Sequence, residues 1–138
     1  MKLFFAQKAL IVHDGKILLL QNSARHKWAT LQWTLPGGRI EVGEILDHSL
    51  RREVMEETGL EIVPGKVYDM WERLDDEAHI VGIARICKPI TFEAHTRNIT
   101  PSDNIECAVW VPFAEVPKLD LAERTKKIIL DFVKSQLP

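Results

Sequence analysis

Two apolar runs early in the chain, residues 9–12 and 17–21, flank the dipeptide Asp14-Gly15. Asp-Gly favours a two-residue hairpin turn, because both residues tolerate positive φ. The apolar positions are consecutive rather than alternating, which is typical of strands that are buried on both faces. The pattern therefore predicts a β-hairpin in the interior of a sheet.

Further apolar segments predict the remaining strands. These are residues 33–35, 67–73, 80–87 (with an extension at 91–94) and 107–111, which Pro112 ends. An acidic turn at residues 75–77 joins the second and third of them, and the polar residues 22–32 and 95–104 are predicted loops. Strands alternating with helical segments favour an α/β class, with a mixed sheet between two layers of helix.

The first helical segment is residues 44–58. Its apolar stripe consists of Leu46, Leu50 and Val54, at spacings of four, which suits burial against a sheet. Gly59 directly follows the segment and is typical of a residue that ends a helix in the left-handed conformation. The pattern therefore predicts an amphipathic helix that stops at Gly59.

The second helical segment is residues 121–137. Its predicted inward-facing residues are Ile128, Ile129, Phe132 and Val133. Asp120 and Glu123 resemble a helix N-cap and the glutamate three positions later that returns a hydrogen bond to it. This segment is predicted to cover one face of the sheet.

The first helix also carries three glutamates on a second face. At about 100° per residue, Glu56 and Glu57 lie at about −60° and +40° from Glu53, so the three share one narrow face. Like charges at these spacings repel by roughly 0.2–0.5 kcal/mol per pair, a cost that a bound cation would remove. Carboxylate oxygens suit Mg²⁺ (or Mn²⁺), whereas Zn²⁺ fits poorly because no cluster of His and Cys accompanies them.

A glycine turn, Pro36-Gly37-Gly38, precedes this helix. Glycine permits positive φ and a close approach of the backbone to a ligand. A free backbone carbonyl in the turn would add a further oxygen ligand for a metal. Arg52, within the acidic run, is placed to pair with a neighbouring glutamate and to fix its rotamer.

Residues 38–60 resemble the Nudix box, Gly-x5-Glu-x7-Arg-Glu-U-x-Glu-Glu-x-Gly-U, where U is a bulky aliphatic residue. The residues that match its specified positions are Gly38, Glu44, Arg52, Glu53, Val54, Glu56, Glu57, Gly59 and Leu60. Residues 9–21, 33–38 and 110–112 also fall where Nudix domains have a hairpin, a glycine turn and a strand end. The resemblance implies an α/β/α sandwich and a single Nudix hydrolase domain over residues 1–138.

The resemblance also implies a reaction, in which water attacks phosphorus and cleaves one phosphoanhydride bond of a nucleoside diphosphate linked to another group. The implied metal ligands are Glu53, Glu56, Glu57 and the backbone carbonyl of Gly38. Metal ions offset charge on the phosphate oxygens and acidify a bound water. Glu44 would orient the loop or a metal-bound water, and Arg52 would position a box glutamate.

The box does not identify the general base. Some Nudix enzymes use a glutamate outside the box, on a loop before a late strand, and Glu106 is the best match to that position. Asp103 is the runner-up. The alternative for Glu106 is an ordinary solvent-facing acid at a strand edge.

Candidate substrate contacts lie around the glycine turn. Arg39, with the backbone of Gly37 and Gly38, is placed to meet phosphates, and the basic residues 25–27 are weaker candidates. Trp33 is a candidate for stacking on a nucleobase, because stacking tolerates many bases. The other stacking candidates are Trp28, Tyr68 and Trp71, and for each of the four aromatic residues core or rim packing is the more common role.

Subfamily markers narrow the substrate by their absence. ADP-ribose hydrolases tend to carry a proline after the box and diadenosine polyphosphate hydrolases a tyrosine slightly further on, but residues 74–78 are Leu-Asp-Asp-Glu-Ala. A MutT-like pyrophosphohydrolase that converts nucleoside triphosphates into a monophosphate and pyrophosphate is therefore favoured. The alternatives are hydrolysis of nucleotide sugars, ADP-ribose or dinucleoside polyphosphates, RNA 5′-end processing, and an inactive nucleotide-sensing or partner-binding domain.

Composition adds broad limits. The chain of 138 residues is 46% hydrophobic and 28% charged, as expected of one globular domain. Its net charge of −2 and the lack of a long apolar run favour neither duplex nucleic acid nor a membrane as a partner. Cys87 and Cys107 have no metal-like spacing, which favours buried, reduced thiols and a cytoplasmic location. Many Nudix relatives are dimers, so a homodimer stays open, with edge pairing through residues 2–6 as one route.

Overall fold

The computed structural model describes residues 1–91 and 104–138. Within these residues the strands are β1 (Lys2–His13), β2 (Lys16–Asn22), β3 (Trp33–Thr34), β4 (Gly37–Arg39), β5 (Ile62–Leu74), β6 (Ala78–Pro89) and β7 (Ile105–Pro112). The helices are α1 (Leu46–Thr58) and α2 (Glu123–Gln136), and a short 3₁₀ helix, Phe113–Lys118, precedes α2.

The central strand of the sheet is β1. It pairs in parallel with β6 from Lys2 opposite Ala78 to Ile11 opposite Cys87. Its other neighbours, β2 and β4, are antiparallel to it. β5 continues the sheet beyond β6, whereas β3 and β7 both pair with β2. The sheet is therefore mixed, as predicted.

The helices cover opposite faces of this sheet, because consecutive residues of β1 point to opposite sides. Leu10 packs in the cluster that contains Phe132 of α2. Ala9 and Ile11 pack with Leu50 and Val54 of α1. The predicted order of layers, α/β/α, is confirmed.

The predicted hairpin is present. Asp14 and Gly15 both have positive φ, 51° and 74°, and Val12 pairs with Ile17 across the turn. The strands themselves are longer than the apolar runs predict: β1 begins at Lys2 because its first residues complete the parallel ladder with β6. Residues 92–103, which include all but the first residue of the predicted extension 91–94 and most of the predicted loop 95–104, lie outside the described residues.

The helix α1 ends as predicted and begins two residues later than predicted. Gly59 follows it with φ 77°, and its N–H donates to the carbonyl of Met55. Leu50 and Val54 are fully buried, but Leu46 is 47% exposed, so its assignment to the buried stripe was wrong. Leu46 is the first residue of the helix. Its backbone carbonyl, rather than its side chain, is held in place, because it accepts a hydrogen bond from the side chain of Gln7.

The helix α2 has the predicted inner face but not the predicted cap. Its buried residues include Ile128, Ile129, Phe132 and Val133. The N-cap is Ala122, with no side-chain hydrogen bond, and Glu123 is the first helical residue. The carboxylate of Asp120 instead accepts a hydrogen bond from Gln32 Nε2 at 3.1 Å, because the chain reaches α2 through an extended segment beside β3.

Neither helix of the described residues is long and apolar enough to cross a membrane.

Candidate active site

Arg52 is the centre of an ion-pair cluster at the exposed side of α1. Its Nε and Nη2 donate to the two carboxylate oxygens of Glu44 at 2.8 and 2.9 Å. This fork-to-fork geometry is among the strongest that a protein makes between charged groups. The backbone N–H of Glu41 adds a third hydrogen bond to Glu44, at 2.9 Å. The Arg52 hydrogen bonds, followed by that of Glu41, lower the pKa of Glu44 to about 2.

The remaining nitrogen of Arg52 faces two further box glutamates. Nη1 lies 3.3 Å from Oε1 of Glu53 and 3.3 Å from Oε1 of Glu56. We call Arg52 with Glu44, Glu53 and Glu56 the Arg52 cluster. One guanidinium thus holds the turn before α1 against two carboxylates of the helix, and its own pKa is raised, chiefly by Glu44.

Glu57 is turned away from this cluster, towards the glycine turn. Its Oε1 accepts a hydrogen bond from the N–H of Gly37 at 2.7 Å. Burial raises the pKa of Glu57 to about 7, although the Lys8 ammonium and the Gly37 N–H act in the opposite direction. Burial, rather than any neighbouring charge, is also the main reason that the pKa of Glu53 is raised.

At Gly37 the glycine turn is packed too closely for any other residue type. Gly37 has φ 139°, and a Cβ there would lie 2.1 Å from the carbonyl oxygen of Gln7. A Cβ at Gly38 would lie 2.6 Å from the carboxylate carbon of Glu53. The two glycines therefore bring the backbone of β4 against Glu53 and Glu57, which are a helical turn apart on α1.

Lys8 is a member of this site that the sequence did not single out. Its Nζ lies 3.4 Å from the carbonyl oxygens of both Leu35 and Gly37, and its charge favours ionisation of Glu57. The available signal was a polar pair, Gln7-Lys8, directly before the apolar run of β1. A lysine at an interior position of a central strand requires a polar partner, and the glycine turn supplies it.

Gln7 and Arg85 fix the start of α1, which has no side-chain cap. The buried amide of Gln7 donates to the carbonyl of Leu46 at 2.8 Å and accepts from Arg85 Nη1 at 3.2 Å. Arg85 also pairs with Asp47, in the first turn of α1, at 2.7 Å. This network positions the helix, and with it the glutamates, relative to β1 and β6.

The donor set fits a hard divalent cation. The space between Gly38 and the Glu53 carboxylate would be filled by a Cβ, so glycine keeps it open. Burial also disfavours the charges of Glu53 and Glu57, and a nearby cation would offset that cost. Within residues 1–91 and 104–138 no three Asp, Glu, His or Cys side chains are grouped closely enough to hold a metal together. Glu53 and Glu56 lie instead against Arg52, so binding by all three glutamates would need new rotamers.

A cleft of about 590 Å³ begins at this site. At the end that contains Glu57, the cleft is also lined by Lys8, Gly38 and Arg39. The rest of the lining includes His26, Trp28, Trp71, Arg73, Asn104, Ile105, Glu123 and Arg124. The volume lies in the range of small-molecule sites, and the mixture of aromatic and basic groups suits a nucleotide.

The predicted aromatic residues divide between this cleft and the core. Trp28 is 68% exposed and Trp71 lies across Gly82, and both line the cleft. Tyr68 meets Phe132 edge to face, with ring centroids 5.2 Å apart. Trp33 packs against the α2-side core and is not among the cleft residues of the described chain.

The candidates for the general base lie at β7. Glu106 is exposed on β7 and is not among the described residues that line the cleft, whereas its neighbours Asn104 and Ile105 are. Asp103 lies outside the described residues. Of the other predicted basic residues, Arg39 and His26 line the cleft.

Comparison with known proteins adds to this geometry. The family model of the NUDIX domain matches residues 6–132. The chain is 27% identical over 132 residues to the nucleoside triphosphatase NudI of Escherichia fergusonii, covering 87% of this chain and 89% of that protein. It is 41% identical over 66 residues to the CTP pyrophosphohydrolase of Escherichia coli, covering 48% of each.

A solved structure of similar fold is the MutT protein of Methanosarcina mazei, with a TM-score of 0.80 at 23% identity, covering 99% of this chain and 96% of that one. The fold, the complete box between β4 and β5 and the match over residues 6–132 agree with one another. The chain therefore belongs to the Nudix family and is an enzyme of the Nudix pyrophosphohydrolase type.

Proposed function

We propose that this Nudix enzyme hydrolyses nucleoside triphosphates, in the ribo or deoxy form, to a monophosphate and pyrophosphate with the help of Mg²⁺ or Mn²⁺. The observation that carries the proposal is the cleft, which joins Glu57 and the glycine turn at one end to aromatic and basic residues at the other. The names of two relatives, a nucleoside triphosphatase and a CTP pyrophosphohydrolase, support a triphosphate as substrate.

The residues proposed to hold the metal are Glu53, Glu56, Glu57 and the backbone carbonyl of Gly38. When bound, the metal would neutralise phosphate charge and supply an acidic water. The raised pKa values of Glu53 and Glu57 support this assignment, because each carboxylate is partly buried where a positive charge would offset the cost of burial. Glu56 would join them by leaving Arg52.

Three further groups act without touching the metal. Lys8 and Arg39 are cations beside the glycine turn and would hold the phosphates against it. The Glu44–Arg52 fork would set the position of Glu53 and of the turn before α1. These are positioning roles, and they would lower the entropic cost of bringing water and phosphorus together.

The general base stays a prediction, with Glu106 first and Asp103 second. Glu106 is exposed on β7, next to two residues that line the cleft. The kcat of Glu106→Gln, compared with that of Glu53→Gln, tests it. If Glu106→Gln keeps full activity while Glu53→Gln loses it, Glu106 is not the base.

The proposed function is tested with a substrate panel in Mg²⁺, in Mn²⁺ and in chelator. The panel contains the nucleoside triphosphates, nucleotide sugars, ADP-ribose, dinucleoside polyphosphates and triphosphorylated RNA. Release of monophosphate and pyrophosphate from triphosphates, abolished by chelator, is the expected result. Turnover of another class alone would replace the proposed substrate, and turnover that survives chelator would refute the metal requirement.

We also propose a cytoplasmic location and, as one possible assembly, a homodimer. Neither Cys87 nor Cys107 is part of a disulfide, which suits the reducing cytoplasm. A homodimer remains a prediction from the family resemblance, and sedimentation analysis of the purified protein would decide it.

A further inference from the structure

Three arginines line the cleft away from the Arg52 cluster. Arg39 ends β4, Arg73 lies on β5 and Arg124 lies in the first turn of α2. They come from three separate elements, so no local pattern in the sequence brings them together. We call Arg39, Arg73 and Arg124 the arginine wall.

The arginine wall has few anionic partners. Arg73 Nη2 lies 3.3 Å from Asp75 Oδ2, but its Nε is buried without a hydrogen-bond partner. The guanidinium of Arg39 lies 3.8 Å from the ring centroid of Phe4, and that of Arg124 lies 5.7 Å from the ring of Trp28. Neither Arg39 nor Arg124 forms an ion pair with a carboxylate of residues 1–91 or 104–138.

The charges of the wall act on one another. The pKa of Arg124 is lowered, first by burial and then by the charges of Arg73 and Arg39, while Asp75 acts in the opposite direction. The pKa of His26 is lowered by burial and then by Arg124 and Lys8. This part of the cleft is therefore electropositive, even though Glu57 and Glu123 also line it.

Stacking on an aromatic ring leaves the edge of a guanidinium, with its N–H donors, open to a ligand. Five donors and no acceptor make each arginine suited to oxyanions, and phosphate is the oxyanion that the proposed substrate supplies. A nucleobase offers neutral acceptors, which would satisfy single N–H groups but leave the charge of the wall uncompensated. The charge balance thus favours a phosphate.

We propose that Arg73 and Arg124 bind a third phosphate of the substrate, beyond the diphosphate held at the glycine turn, with Arg39 between the two places. This rests on the proposed function and deepens it. The wall then selects nucleoside triphosphates over diphosphates, whereas the glutamates of α1 act on both.

The test compares kcat/KM for a nucleoside triphosphate and for the diphosphate of the same nucleoside. In Arg73→Gln and Arg124→Gln, the triphosphate value should fall by about tenfold to a hundredfold, the range for loss of a charged hydrogen bond, and the diphosphate value should change little. The matched control is Lys127→Gln, which removes one positive charge from the exposed side of α2, outside the cleft lining. An equal fall for both substrates would overturn the proposal and indicate contact with the nucleoside.

Two further measurements distinguish failure of this proposal from failure of the proposed triphosphate hydrolysis. Arg73→Lys and Arg124→Lys keep the charge and should recover part of the triphosphate preference; thermal unfolding identifies any variant that fails to fold. Calorimetric titration of the metal-free protein with inorganic tripolyphosphate and with pyrophosphate needs no turnover. Tighter binding of tripolyphosphate that depends on both arginines supports the wall even if no nucleotide is hydrolysed, and equal binding of the two ions by all variants refutes it.

Discussion

Two groups of charges in this enzyme, the Arg52 cluster and the arginine wall, are balanced differently. In the Arg52 cluster, one guanidinium faces three carboxylates, and the protein supplies every partner. The arginine wall has three guanidiniums, and within the described residues its one ion pair is that of Arg73 with Asp75. The first arrangement ties the turn before α1 to the helix, and the second leaves its charge to be balanced by the proposed phosphate.

The difference has an energetic reason. Exposed ion pairs contribute little to stability on their own, but a forked pair with further hydrogen bonds fixes side-chain rotamers. Neighbouring cations without anionic partners repel one another and lower the stability of the folded state. Binding of an anion removes this repulsion. The three predictions that follow probe this contrast, beginning with the largest expected effect.

Removing a carboxylate from the acidic end should affect every substrate alike. We expect Glu57→Gln to lower kcat by about 100-fold to 1000-fold for triphosphates and diphosphates, because a neutral amide cannot offset a cation or hold it beside the phosphates. The control is Asp131→Asn, on the exposed side of α2, which makes the same chemical change away from the cleft. A selective loss for triphosphates would show that Glu57 and the arginine wall recognise the same group.

Breaking the fork should have a smaller effect. We expect Arg52→Lys to lower kcat by about tenfold, because an ammonium cannot donate two parallel hydrogen bonds to Glu44 while it also faces Glu53 and Glu56. Glu44→Gln should cost a similar factor, and the double variant should cost little more than either change alone. Additive losses in this double-mutant cycle would show that the two residues act separately.

The smallest effect concerns pH and the metal-free protein. Because the pKa of folded Glu57 is about 7 and its ordinary value is 4.5, the folded state holds the proton more tightly. The contribution of Glu57 to the free energy of unfolding should therefore be greatest below pH 4.5. It should fall as the pH rises to about 7. We expect the Tm in chelator to fall by a few degrees over this interval, and Mg²⁺ to raise it more at pH 8 than at pH 5.

Glu57→Gln removes the titrating group, so its Tm should vary less with pH over the same interval. The contribution of Glu44 has the opposite sign, because its folded pKa is about 2. Its stabilisation is present above pH 4.5 and is lost only as the pH falls towards 2. A wild-type Tm that does not change between pH 4.5 and 7 would contradict the assignment to Glu57.

Local patterns in the sequence predicted the elements whose geometry is set locally. Asp14-Gly15 could form its turn from two residues that tolerate positive φ, and Gly59 could end α1 for the same reason. The helical spacing of Glu53, Glu56 and Glu57 predicted one shared face, but in the structure Glu57 turns to the glycine turn while Glu53 and Glu56 face Arg52. The hairpin turn and the helix end follow from backbone conformation within a few residues, so a single segment is sufficient to recognise them.

Contacts between distant segments were not predictable in this way. Lys8 matters because the glycine turn packs beside it, some thirty residues later in the chain. The arginine wall exists because β4, β5 and α2 meet at one cleft. Asp120 pairs with Gln32 rather than with its own helix, since the tertiary position of the chain decides which donor is near. The spacing of residues along the sequence does not predict such tertiary contacts.

The parallel pairing of β1 with β6 has a consequence for how the chain folds during synthesis. The hairpin of β1 and β2 closes as soon as both strands exist, but the first half of β1 must wait for residues 78–83, which are made after about half the chain. Contacts between such distant residues slow folding. Until then the apolar segment Leu3-Phe4-Phe5-Ala6 lacks its parallel partner, which exposes it to aggregation or to capture by chaperones.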